Sequence, residues 1–255
     1  MFDLNFEDRV ATITLKHLPV NALSRAWAEQ FHAILDRLGE TAQWRVMRIT
    51  SGLRVFSAGG DIKELASRLD LPNAGALLAD EATVYQRLFA RIEALPQLSV
   101  AEIHGVAAGG GLELALACDL RVAASKVRLG LPEVGLGLLP SAGGTQRMTR
   151  LLGRGRAMRL ICGAELITSE EALQLGLVEW LLPDEGFAEA AKAIAHRLSM
   201  QPTEALQAAK ACIHAVYDIS RDGYAEEASA PNYLMVSTET RARLTEFVNR
   251  NRDKG

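Results

Sequence analysis

Hydrophobic positions along the chain switch between two periods, alternation and a three-to-four-residue spacing, and each switch marks a change of element. Residues 10–15, Val-Ala-Thr-Ile-Thr-Leu, alternate and are rich in β-branched side chains, which predicts a strand. A turn over 19–23 follows. Ser24 is a good N-cap, and Trp27, Phe31, Ile34, Leu35 and Leu38 then recur at helical spacing, with Gly39 as the stop. Residues 46–50 predict a second strand, 54–61 a loop, and a helix opens at about Ile62. Residues 67–80, which contain Pro72, Asn73 and Gly75, suggest a mobile surface loop. Tyr85, Leu88, Phe89 and Ile92 mark a long helix that stops before Pro96, and 98–103 and 120–124 are further strands. Helices are expected over 154–163 and 169–175, the latter closed by Gly176, and a last strand over 178–182. From Phe187 onward the pattern is helical; the helix that Pro202 starts has Ala205, Ala208, Ala209 and Ile213 on its inner side. Strands alternating with helices imply an α/β fold with largely parallel pairing, and the final stretch implies a helical layer.

The chemistry concentrates where a strand feeds three consecutive glycines. Gly109, Gly110 and Gly111 lead into the apolar run Leu112 to Cys118, interrupted only by Glu113. Glycine lets a ligand approach the backbone closely, and the free N–H groups of a helix start favour negative charge. A second glycine turn, Ala58-Gly-Gly-Asp61, also follows a strand and precedes a helix. One N–H from each turn could converge on one oxygen, which is an oxyanion hole. Glu113 and Glu133 both sit in apolar surroundings, where burial raises a carboxyl pKa and suits it to proton transfer. An isolated glutamate of this kind is more often a capping or ion-paired acid than a catalyst, so the two alternatives stand together at this point.

Composition narrows the classes. The chain has 255 residues, 49% of them hydrophobic and 23% charged, the balance of an ordinary globular protein. A net charge of −3 gives no basic footprint for nucleic acid. The longest apolar runs are too short to span a bilayer, and the acidic opening Met-Phe-Asp-Leu-Asn-Phe-Glu-Asp carries no secretory signal. Cys118, Cys162 and Cys212 are widely spaced, without metal-ligand spacing, so a reducing, cytoplasmic compartment is expected. Gly135-Leu-Gly-Leu-Leu-Pro140 breaks the dinucleotide fingerprint, and no P-loop appears. Ser57 and Ser141 lack a nucleophile elbow, and His104 lacks a partner at a telling spacing.

Five segments, in order, resemble signatures of the enoyl-CoA hydratase/isomerase (crotonase) family. They are Pro19-Val-Asn-Ala-Leu-Ser24, Phe56-Ser-Ala-Gly-Gly-Asp-Ile-Lys-Glu64, His104-Gly-Val-Ala-Ala-Gly-Gly-Gly-Leu-Glu-Leu-Ala115, the stretch from Leu131-Pro-Glu133 to Gly-Gly-Thr-Gln-Arg147, and Ala172-Leu-Gln-Leu-Gly-Leu-Val178. The resemblance implies a spiral of β-β-α units with a C-terminal helical region that assembles trimers, often paired into hexamers. On that plan 1–195 form the spiral core with the acyl-CoA site and 196–255 the helical region. It also implies an acyl-CoA thioester as substrate, CoA being part of it, with no metal or redox cofactor. By position, Gly60 and Gly110 would hold the thioester oxygen. Asp61, Ile62 and Lys63 would lie along the CoA moiety, and Ala22 and Ala58 near its adenine and pantetheine.

Both glutamate positions of the hydratases are occupied, which implies reversible hydration of a 2-enoyl-CoA to a 3-hydroxyacyl-CoA, with Glu113 activating water and Glu133 protonating the α-carbon. A Δ3,Δ2-enoyl-CoA isomerase, needing only the acid at Glu133, or another acyl-CoA lyase of the family is the alternative. A non-catalytic or RNA-binding relative is disfavoured by the glutamate pair and the acidic charge. The chain departs from the pattern at Gly60, where many hydratases have alanine, and in the tail, where Ala242 and Arg243 replace the usual acid and glycine.

Overall fold

The computed structural model describes residues 1–41 and 44–252. Its first half repeats one unit: a long strand, a short strand or bridge, then a helix. Strand β1 (Phe2–Glu7) precedes the repeats as an antiparallel edge to β2 (Val10–Leu15). The first unit is β2, a bridge at Leu23 and helix α1 (Arg25–Gly39). The second is β3 (Val46–Ser51), bridges at Ser57 and Gly60, and helices α2 (Ile62–Ser67) and α3 (Ala74–Glu93). The third is β4 (Leu98–Ile103), β5 (Ala107–Ala108) and α4 (Gly110–Ala117). The fourth opens with β6 (Leu120–Ala124) and β7 (Arg128–Gly130), followed by a 3-10 turn (Pro132–Leu136), α5 (Gly144–Leu152) and α6 (Arg154–Cys162). Then come β8 (Leu166–Thr168), α7 (Ser169–Leu175) and β9 (Trp180–Leu182).

The long strands build a sheet in the order β1-β2-β3-β4-β6-β9, parallel except for β1. The short ones build a second sheet, β5-β7-β8, which the Ser57–Ala107 and Leu23–Gly60 bridges extend toward the start of the chain. Each crossover helix carries the chain to the next parallel strand, so the units wind as a spiral.

Burial explains why these segments choose these elements. Strand β3 is buried at five of six positions, as expected of a parallel strand covered on both faces. Helix α1 buries Trp27, Ala28, Phe31, Ile34, Leu35 and Leu38 along one stripe. Ser24 caps it, its Oγ accepting the Trp27 N–H at 3.2 Å. Phe2, Trp27 and Phe31 form an aromatic cluster with ring centroids 5.2–5.3 Å apart. Each such side chain contributes about 1.5–3 kcal/mol by leaving water, and Phe31→Ala would cost about 3–5 kcal/mol with the cavity included. Helix α4 is buried from Gly111 to Ala117, the mark of a central helix, and this puts Glu113 in the interior.

The C-terminal helices are α8 (Phe187–Ser199), α9 (Thr203–Ala215), α10 (Gly223–Ser229), α11 (Pro231–Leu234) and α12 (Thr238–Arg252). The expected division at 195/196 falls inside α8. Lys210 anchors α9: its buried Nζ donates to Asp119 Oδ2 at 2.7 Å and to the Gln97 carbonyl at 2.9 Å. The same Asp119 oxygen accepts the N–H and Oγ–H of Ser99.

Several expectations change. Residues 67–80 are not a continuous loop, because α3 already starts at Ala74; Pro72 ends the preceding turn, and the helix formers Ala74, Ala76, Leu77, Leu78 and Ala79 tolerate Gly75. Helix α9 turns Ala208, Lys210 and Ala215 inward, while Ile213 is 64% exposed and Ala209 is exposed. The Lys210–Asp119 pair, not apolar spacing, sets that rotation. Strand β1 and helix α5 were not expected from periodicity at all.

Candidate active site

The two glycine turns meet through their backbones. Asn21, fully buried, donates from Nδ2 to Ser51 Oγ at 2.8 Å and to the Phe56 carbonyl at 2.9 Å, which ties the first loop to the second. The Leu23 N–H bonds the Gly59 carbonyl at 2.9 Å, and the Ala108 N–H bonds the Ser57 carbonyl at 3.1 Å. Gly59 has φ +88°; a Cβ there would stand 2.7 Å from the Ala108 carbonyl oxygen and 3.0 Å from the Gly110 nitrogen. No side chain can separate the turns at that point. Gly110 opens α4, so its N–H has no intrahelical acceptor. The bridge to Leu23 uses the carbonyl of Gly59 and not the N–H of Gly60. Gly60 and Gly110 both line a cavity of about 640 Å³, and so do Glu113 and Glu133.

Glu113 is 3% exposed. Its Oε1 accepts the N–H of Ala142 at 2.8 Å and of Gly144 at 2.7 Å. Burial lifts its pKa from 4.5 to about 7; the negative charge of Glu133 adds to the rise, and the two N–H bonds and Arg147 oppose it. Arg147, on α5, donates Nη1 to the Ala142 carbonyl at 3.1 Å and Nη2 to Glu93 Oε2 at 2.9 Å, which steadies the loop that holds Glu113. Glu133 sits in the first turn of the 3-10 segment, and burial raises its pKa too. Its Oε2 is buried without a hydrogen-bond partner. Gly109, at φ +53°, makes room for it: a Cβ there would lie 2.9 Å from Glu133 Oε1.

The other expected residues divide. Asp61 caps α2 by accepting the Lys63 and Glu64 N–H groups, and with Ile62 it lines the cavity. Ala22 is nearly buried, Ala58 and Lys63 are exposed, and none of the three lines the cavity. Ser57 is structural: its Oγ donates to the Asn21 carbonyl at 2.8 Å and accepts the Gly59 N–H at 3.2 Å. His104 bonds the Leu53 carbonyl at 2.8 Å. Sequence reasoning missed Ala142, Gly144 and Arg147, although the quoted Gly-Gly-Thr-Gln-Arg147 segment contains their signal, and it missed Arg68, Glu81 and Tyr85 on the cavity wall. Among the described residues, no three His, Cys, Asp or Glu side chains form a cluster fit for a metal, and no helix is long and apolar enough to cross a membrane.

Comparison with known proteins gives the chain its relatives. The family model described as enoyl-CoA hydratase/isomerase matches residues 5–253. A Bacillus subtilis protein named "Probable enoyl-CoA hydratase" is 43% identical over 198 residues, 77% of this chain and 75% of that one. The Escherichia coli 2,3-dehydroadipyl-CoA hydratase is 35% identical over 237 residues, 92% of this chain and 90% of the other. The crystal structure of an enoyl-CoA hydratase from Bacillus anthracis superposes with a TM-score of 0.89 at 33% identity, covering 98% of this chain and 96% of that one. With a spiral of β-β-α units, two abutting glycine turns and a match along nearly its full length, this chain belongs to the enoyl-CoA hydratase/isomerase (crotonase) family.

Proposed function

We propose that the protein catalyses the reversible hydration of a 2-enoyl-CoA thioester to a 3-hydroxyacyl-CoA. The observation that carries this reading is the convergence of two carboxyl groups, the buried Glu113 and the part-buried Glu133, with Gly60 and Gly110 on one cavity. The N–H groups of Gly60 and Gly110 hold the thioester oxygen as it gains enolate charge; losing one such donor costs about 10²–10³ in kcat. Glu113, fixed through Oε1, takes a proton from water with its ionised form, and the hydroxide adds at the β-carbon. Glu133, whose pKa burial raises, delivers a proton from its acid form to the α-carbon. Addition of water changes no net oxidation state, so the reaction needs no redox cofactor, and CoA enters as part of the substrate. Asp61, Ile62 and Lys63 follow the CoA moiety, with Ala22 and Ala58 near its adenine and pantetheine.

The working unit is a homotrimer or a dimer of trimers. The apolar side chains left uncovered on the C-terminal helices support this: Ile213 is 64% exposed, Tyr224 87% and Phe247 66%. The three cysteines are unpaired, in keeping with a cytoplasmic setting.

Loss of conjugated-thioester absorbance on mixing with crotonyl-CoA tests the chemistry, with Glu113→Gln and Glu133→Gln in parallel. Rapid loss abolished by either substitution is expected. No loss with the native chain, together with conversion of a 3-enoyl-CoA to its 2-enoyl isomer, would replace hydration by isomerisation. Light scattering after size exclusion reads the oligomer.

A further inference from the structure

The wall of the cavity carries an unequal set of charges. Asp61, Glu64, Glu81, Glu113 and Glu133 all line it, against one cationic side chain among the described residues, Arg68. Arg68 is already paired with two carboxylates, so the array it belongs to carries net negative charge. It donates from Nη1 to Glu81 on α3 and from Nη2 to Glu64 one helical turn back, so each terminal nitrogen already serves a carboxylate. The Arg68 and Glu81 side chains are only 25% and 19% exposed, which limits how far water can screen them. The same field acts on a neutral neighbour: the Tyr85 hydroxyl is held above its ordinary pKa by burial first, then by the negative charges of Glu81 and Glu64. Between these groups the wall is apolar, with Leu65, Leu78, Ala82 and Leu139 among its residues.

We propose that the Glu64–Arg68–Glu81 array makes the site selective for acyl-CoA thioesters with an uncharged acyl tail and excludes tails that end in a carboxylate. The proposal rests on reading this cavity as the acyl-thioester site. A neutral tail buries apolar surface against the leucines and leaves the array intact. A terminal carboxylate must either displace a glutamate from Arg68, leaving that glutamate unpaired, or lie in a wall of net negative charge. Both routes are repulsive elements of the kind that build specificity. Arg68 is therefore a masked anion site: removing its two glutamate partners uncovers it.

Calorimetric titration with two unreactive saturated thioesters of one length, hexanoyl-CoA and its ω-carboxyl counterpart adipoyl-CoA, tests this without requiring turnover. The native protein is expected to bind hexanoyl-CoA at least about tenfold more tightly. In Glu64→Gln/Glu81→Gln the ratio should fall by about tenfold or more, through tighter binding of adipoyl-CoA. Glu81→Gln alone should move it in the same direction, and Arg68→Gln should retain the preference for hexanoyl-CoA. Unchanged hexanoyl-CoA affinity in each variant shows that it is folded. Equal affinity of the native protein for the two thioesters overturns the proposal alone, as does an unchanged ratio in folded Glu81→Gln and double variants. Binding of neither thioester by the native protein overturns the assignment of the cavity together with the proposal.

Discussion

Replacing Glu113 by Gln should stabilise the protein as it removes the proposed base. Glu113 is 3% exposed, and its pKa rises from 4.5 to about 7 on folding, chiefly through burial. The folded chain therefore binds this proton more tightly than the unfolded chain does. Folding stability from this group is complete below pH 4.5, falls as pH rises toward 7, and stays lower above it. The shift corresponds to about 3 kcal/mol. Glutamine keeps an oxygen for the Ala142 and Gly144 N–H groups and has no charge to desolvate. The expected gain is thus about 1 kcal/mol at pH 5 and about 3 kcal/mol at pH 8, the latter roughly 6–12 °C in Tm for a chain of this size. Thermal unfolding of the native and Glu113→Gln proteins at the two pH values, at one protomer concentration, measures it. A Tm difference that is the same at pH 5 and pH 8, or a variant less stable than the native protein at pH 8, would refute the reasoning.

Hydration should lose rate as pH falls below about 7, because the proton then occupies the Glu113 oxygen that must accept one from water; a kcat/KM profile against pH locates the limb. Gly109→Ala places a Cβ at φ +53° and 2.9 Å from Glu133 Oε1, so it should cost about 1–3 kcal/mol in urea unfolding and lower kcat more than that strain explains. Lys210→Met leaves buried Asp119 with only Ser99 and His214 Nε2, 3.4 Å away, and should destabilise the fold by up to about 3–5 kcal/mol; adding Asp119→Asn should recover part of this, and an unrecovered double variant would assign the cost to packing alone.

Local pattern made some of this legible. The Trp27–Leu38 stripe, the Ser24 cap, the strands around the two glycine turns and the pairing of turns with acids all follow from residue type and spacing. What stayed hidden depends on which way a group points after distant segments meet. Nothing in the spacing of Ala142 and Gly144 announces that their N–H groups aim at Glu113. Apolar periodicity placed Ile213 inward on α9, and an ion pair to a residue 91 positions away turned Lys210 inward instead. Residues 67–80 look like a loop because Pro72, Asn73 and Gly75 fall together, yet they act as a helix boundary. Arg68 reads as a solvated charge on α2 until α3 brings Glu81 beside it.

The two carboxyl groups reach the cavity from different helical segments, but one stretch of chain governs both. Glu133 belongs to the stretch that begins at Leu131, and Glu113 is gripped by the Ala142 and Gly144 amides near the other end of it. The positions of both carboxyl groups therefore respond to a single mechanical coordinate, the position of that stretch against α4. Insertions, deletions or strain between Pro132 and Gly144 should displace both carboxyl groups at once, and no such change confined to this stretch should disturb one and spare the other.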